Sequence, residues 1–275
     1  MSTYENAYEI LSEVRRGINE YSTAYVQGSD TTGAFDNTDI MRKINDAQKM
    51  FFDLLVNREP QIFYKKTTLT PVSSVLTMPS DFYRIRRLEN SQGNKIFEIL
   101  LEHKRSSDAY GTQYFYYWQA GAIYIDYEAF SEPMTLYYVS RPRELNQGMS
   151  PAGGALSLTL ATTARKIADY YNGMTIENVT DDWCDTISDY SAARVATLAA
   201  QTGAASKYYG LVSELPEVFH PFIGRQATLL MRTTYKSLEK PTALDLKFFN
   251  DDLNETLKSY FGTDNTNTDI GELFQ

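Results

Sequence analysis

The chain has 275 residues, 43% of them hydrophobic and 22% charged, with a formal net charge of −9. That length and balance exclude a disordered chain and allow one large domain or two modest ones, and no apolar run approaches the length of a membrane span. An acidic chain lacks the concentrated basic surface that gripping nucleic acid through its phosphates requires, although an acidic lining would let DNA slide past without adhering.

Along the chain, Tyr4, Tyr8, Leu11, Val14, Ile18, Tyr21 and Tyr25 recur at helical steps. They predict one long amphipathic helix, ended by a polar loop over 28–33. Thr38 is the expected N-cap of a second helix, striped by Ile40, Ile44, Ala47, Phe51 and Leu54 or Leu55 and stopping before Pro60. The short loop favours an antiparallel helix pair. From Phe63 onward the period becomes alternating and aromatic. Strands are expected at 63–69, 74–78, 83–88, 114–119, 123–127 and 134–140, with a hairpin through Ala120-Gly121-Ala122. The stretch 96–104 reads as a short helix, and 149–154 has linker composition.

Asp169-Tyr170-Tyr171-Asn172-Gly173-Met174-Thr175-Ile176 then opens a small β module over about 155–212. Asn172 and Gly173 suit a tight turn with positive φ. Leu215-Pro216 returns the chain to a helix striped by Phe219, Ile223, Ala227 and Leu230, and Lys240-Pro241 breaks it. Thr242 is placed to cap a last helix carrying Leu246, Phe249, Leu253, Leu257 and Tyr260. The expected class is α+β: terminal helices packing as one bundle, with a β-sheet insertion and a second small β module. The corresponding segments are 1–60, 61–150, 151–213, 214–261 and an extended tail over 262–275.

Two stretches carry a resemblance. The module wording, with Thr186-Ile187-Ser188-Asp189-Tyr190 and Arg194-Val195-Ala196-Thr197-Leu198, resembles a module of tailed-bacteriophage structural proteins. Where those carry a glycine-rich hairpin, this chain has Val179-Thr180-Asp181-Asp182-Trp183-Cys184-Asp185. Separately, Met78-Pro79-Ser80-Asp81-Phe82-Tyr83-Arg84-Ile85, Tyr114-Phe115-Tyr116, Ile123-Tyr124-Ile125 and Leu136-Tyr137-Tyr138-Val139-Ser140-Arg141-Pro142 resemble phage head-to-tail adaptor (neck, connector) proteins over about 39–145. The resemblance implies a non-enzymatic virion protein made in the host cytoplasm and placed in the neck between capsid and tail. It implies a ring, dodecameric in that family, contacting the portal protein and the next tail component around passing DNA. A receptor- or carbohydrate-binding tail appendage is the alternative, since tyrosine-rich faces suit sugar stacking.

Patterns for chemistry are sparse. His103 and His220 are the only histidines and Cys184 the only cysteine, so zinc spacings and internal disulfides are absent and no cofactor is expected. The first residues, Met1 to Glu5, lack the basic and apolar stretches of a secretory signal. Glu177, Asp181, Asp182 and Asp185 form the densest acidic cluster, read as a solvated loop. His220 reads as a packed or capping residue. The 21 tyrosines suit interfaces and β-rich cores equally.

Two groups remain as interaction candidates. Arg84, Arg86 and Arg87 with Lys65-Lys66 make the one basic concentration, and if Arg84 and Arg86 share a strand face they could meet an acidic subunit or DNA phosphate. Ile270, Leu273 and Phe274 follow a polar run and read as a docking tail for portal or a neighbouring subunit.

Overall fold

The computed structural model describes residues 6–22, 26, 34–100, 114–126, 130–201, 203 and 205–262. It forms two compact units, Leu55–Arg141 and the pair Met1–Leu54 with Pro142–Gln275.

The unit Leu55–Arg141 is built on a curled seven-stranded sheet. Its strands are β1 (Tyr64–Leu69), β2 (Val75–Leu76), β3 (Phe82–Glu89), β4 (Lys95–Glu98), β5 (Phe115–Gln119), β6 (Ala122–Ile125) and β7 (Met134–Ser140). Their order is β1-β7-β3-β4-β5-β6-β2, antiparallel except for β4 with β5. The β5–β6 hairpin turns on Ala120 and Gly121, both at positive φ, the conformation a two-residue hairpin loop demands. Leu76, Leu88, Ile96, Ile123, Ile125, Met134, Leu136 and Tyr138 fill the core on one face. The expected helix over 96–104 is corrected at its start: Ile96 is buried and Phe97 exposed, the alternation of a strand, and residues 95–98 pair as β4. The rest of that stretch, from 101 on, lies outside the described residues.

In the other unit, α1 (Ala7–Gly17) is capped by Asn6, whose side-chain oxygen accepts from the amides of Tyr8 and Glu9. The long helix expected from Tyr4 to Tyr25 is shorter. Asn19 takes a left-handed φ of 59° while the amides of Asn19 and Glu20 return to the carbonyls of Arg16 and Arg15. That Schellman closure ends the helix. The second helix, α2 (Asn37–Arg58), starts under Asp36, whose carboxylate accepts from the amide of Asp39, and not under Thr38. It stops before Pro60 as expected. Helix α3 (His220–Thr234) follows a 3₁₀ turn at Glu217–Phe219. Helix α4 (Ala243–Phe261) carries the expected Thr242 cap, reciprocated by Asp245 as a capping box, and buries Phe249, Leu253 and Leu257.

This unit holds a second curled sheet of β8 (Gln147–Met149), β9 (Gly153–Gly154), β10 (Ser157–Thr159), β11 (Thr175–Asn178), β12 (Trp183–Tyr190), β13 (Val195–Leu198) and β14 (Tyr208–Leu211). The order is β8-β14-β11-β12-β13-β10-β9. The fold is therefore α+β with two curled sheets, and the expected single bundle with projecting β parts is corrected. The helices do touch, α1 against α3, and Phe51 of α2 and Phe249 of α4 against Phe222 of α3. But α1 also packs on β14, and Asn6 bridges Val212, so helices and sheet share one core. The stretch 149–154, expected as linker, supplies an end of β8 and all of β9.

Candidate functional site

Strand parity sets which side chains reach the outer face of the first sheet. Tyr64 of β1 and Arg84 of β3 flank Val139 of β7, and Lys66 and Arg87 flank Tyr137 in the same way. In an uninterrupted strand Arg84 and Arg87, an odd number apart, would point to opposite faces. A bulge between Ile85 and Arg87 shifts the phase, so Ile85 and Leu88 both turn to the core while Arg84 and Arg87 both turn outward. Arg86, the extra residue, lies over the exposed ring of Tyr64 at 5.1 Å, which places it on the same face. Lys66 and Arg87 both lie over Tyr137, at 5.4 and 5.6 Å from the ring centre. The structure thus brings the three arginines together with Lys66.

Lys65, one residue away, is turned to the other side. It pairs with the buried Asp81 at 2.7 Å, and Asp81 also accepts from the Tyr138 hydroxyl at 2.9 Å. Within the basic face, Arg87 is paired with the carboxylate of Glu89. The arrangement suits an anionic surface: four cations on β1 and β3, the two strands that flank β7, with Lys66, Arg86 and Arg87 seated on aromatic rings that hold them in place.

The remaining sequence candidates separate. Ile270, Leu273, Phe274 and His103 lie outside the described residues. His220 is buried, with Nε2 2.8 Å from the Leu215 carbonyl oxygen, and burial lowers its pKa. The acidic cluster is divided among local tasks. Asp181 pairs with Lys207 at 2.6 Å, Glu177 is buried on β11, and Asp185 accepts from the amides of Ala200 and Gln201 at 2.8 Å each. Burial pushes the Asp185 carboxyl up, but these backbone amides together with those of Thr186 and Ala199 outweigh it and hold the pKa below the usual carboxylate range. Among the described residues, no group of three or more His, Cys, Asp or Glu side chains is placed to hold a metal ion. No described helix is long and apolar enough to cross a membrane.

Three tyrosines of the unit that holds the second sheet are core. Tyr171, Tyr190 and Tyr209 are fully buried. The Tyr209 hydroxyl donates to Asn146 Oδ1 at 2.5 Å and accepts from the Ala161 amide at 2.7 Å, and Tyr190 donates to the Arg165 carbonyl at 2.6 Å. Burial raises all three pKa values, Tyr190 to about 12.

Sequence reasoning did not foresee the role of Arg143. It is buried, grips Glu214 through Nε at 2.9 Å and Nη2 at 2.6 Å, and donates to the carbonyls of Tyr170 and Asn172. Its own carbonyl accepts from Gln48 of α2 at 2.8 Å. An arginine between Pro142 and Glu144 carries no spacing signal for such a junction.

An α+β protein of two curled sheets with an exposed cationic sheet face is the class that this geometry defines. The family model for the SU10 adaptor protein matches residues 5–161, more than half of the chain. The chain belongs to the SU10 adaptor family, which points to a structural role as a bacteriophage adaptor and a component of the virion. The matched span includes the 39–145 stretch that carries the adaptor resemblance and ends before the Tyr-Asn-Gly turn. Comparison with curated proteins gives no match.

Proposed function

We propose that the protein is a head-to-tail adaptor: a homo-oligomeric ring, dodecameric by family resemblance, that sits beneath the portal and links capsid to tail around the DNA channel. The observation that carries this reading is the family match over 5–161. The chain's acidic balance supports it, since a net charge of −9 suits a channel through which DNA passes without being bound by sequence. The segment over 262–275, with Ile270, Leu273 and Phe274, is the docking tail for portal or an adjacent subunit. The Tyr-Asn-Gly module belongs to the phage structural kind, and its buried Tyr171, Tyr190 and Tyr209 serve packing, leaving those rings unavailable for sugar stacking. Electron microscopy of the purified protein with and without portal protein tests the reading. Rings seated on portal are expected. A chain that leaves portal bare at saturating concentration would refute it.

A further inference from the structure

We propose that the basic face of β1, β7 and β3 docks the outer face of α4 from a second copy of this chain. The inference rests on the ring reading and names the surfaces that would join its subunits. Charge favours this pairing. The unit Leu55–Arg141 holds 10 Lys and Arg against 9 Asp and Glu, leaving 16 against 26 for the rest of the chain. One unit is therefore at +1 and the other at −10, so copies attract through unlike units and repel through the acidic ones.

The surface of α4 supplies the complement. Opposite its buried stripe of Phe249, Leu253 and Leu257, positions 244, 248, 251 and 255 fall on one helical face. They are Leu244, 58% exposed, Phe248, 57% exposed, and the exposed acids Asp251 and Glu255. Asp245 and Asp252 are engaged by Arg232 and Arg225, whereas Asp251 and Glu255 make no ion pair among the described residues. A ridge with two apolar side chains at one end and two unpaired carboxylates at the other matches a face that offers exposed Tyr64 beside Lys66, Arg84 and Arg86. Carboxylates meet guanidinium forks bidentately, and the apolar ends close against ring edges. The two surfaces differ, so the contact is heterologous, the kind that closes into a ring when its rotation permits.

The test is self-association of the full chain, followed by sedimentation at low and high salt. Association that weakens with salt is expected for the natural chain. Asp251→Lys with Glu255→Lys, on an exposed helix face, should weaken it on the order of tenfold or more, as should Arg84→Glu with Arg86→Glu and Arg87→Glu. Both sets combined in one chain should restore it, a result that misfolding cannot produce. If the reversed chains associate as tightly as the natural one, the docking is overturned and the ring reading stands. If the natural chain stays monomeric, the docking is overturned, and if it also fails to assemble on portal, so is the ring. If the arginine variant assembles normally but loses retention of plain duplex DNA, the face serves phosphate and the docking is overturned.

Discussion

Replacing Gly210 by alanine separates two opposite expectations. Gly210 lies on β14, and its φ is outside the left-handed region, so the backbone itself accepts alanine. Were the position open, the change would stabilise the chain by about 0.4–1 kcal/mol through the unfolded state. It is not open. An added Cβ would stand 2.4 Å from Asn6 Oδ1 and 2.8 Å from the Tyr8 amide nitrogen, well inside contact distance. Asn6 cannot swing away cheaply, because the same oxygen caps α1 and the same residue bridges Val212. Overpacking contributes about 1–3 kcal/mol and a loosened cap about 0.5–2 kcal/mol, which leaves a net loss of about 1–4 kcal/mol after the unfolded-state gain. For a body of this size that lowers Tm by about 2–16 °C, read by circular dichroism with a urea titration alongside. A Tm unchanged or raised would refute the claim that α1 is seated on β14 through Asn6.

Arg143→Met should cost about 3–5 kcal/mol in urea unfolding, because it strands Glu214 and two carbonyls, and adding Glu214→Met should recover much of the loss. Unequal recovery would show that Arg143 acts through the Asn172 turn more than through Glu214. His220 sets a pH dependence: burial lowers its folded pKa, so below about 6.5 the unfolded chain takes up a proton that the fold refuses, and stability falls as pH drops through that window. His220→Gln should flatten that slope in thermal melts between pH 7.5 and 5.5. Tyr209→Phe should cost about 1–3 kcal/mol, since Asn146 and the Ala161 amide lose their shared partner. Excising 155–212 removes five strands of the second sheet and the surface under α1, so cooperative melting of that unit should disappear; a retained helical transition would show the helices suffice alone.

Elements that announce themselves by local chemistry were legible in the sequence. The strands β1, β3, β5, β6 and β7, the Ala120-Gly121 turn, the stop before Pro60 and the Thr242 cap all follow from period or from a single residue's preference. The helix end at Asn19 was also written, in Gly17 and Asn19, but the tyrosine spacing beyond it reads as continuation. The hairpin at 179–182 closes without glycine because Asp182 takes a φ of 52° and Asn178 accepts from the amides of Thr180 and Asp181. What a sequence does not carry is long-range partnership. Nothing local says that β8 pairs with β14, or that Asn6 meets Val212, and those contacts turn an expected bundle into a sheet-backed unit. At the candidate face, adjacency alone places Lys65 and Lys66 on opposite sides, whereas the union of Arg84, Arg86 and Arg87 depends on a bulge that no residue preference demands.

The seat of α1 on β14 also fixes an order in time. Asn6 must wait for Val212, so α1 leaves the ribosome about 200 residues before its partner strand exists. At about 5–20 residues per second that is roughly 10–40 s, far longer than a domain needs to fold. Everything required by the unit Leu55–Arg141 is made within that interval. The cationic sheet is thus finished while the amphipathic α1, already synthesised, still has its apolar side uncovered, and the nascent chain is most vulnerable to aggregation and to helper proteins at that helix.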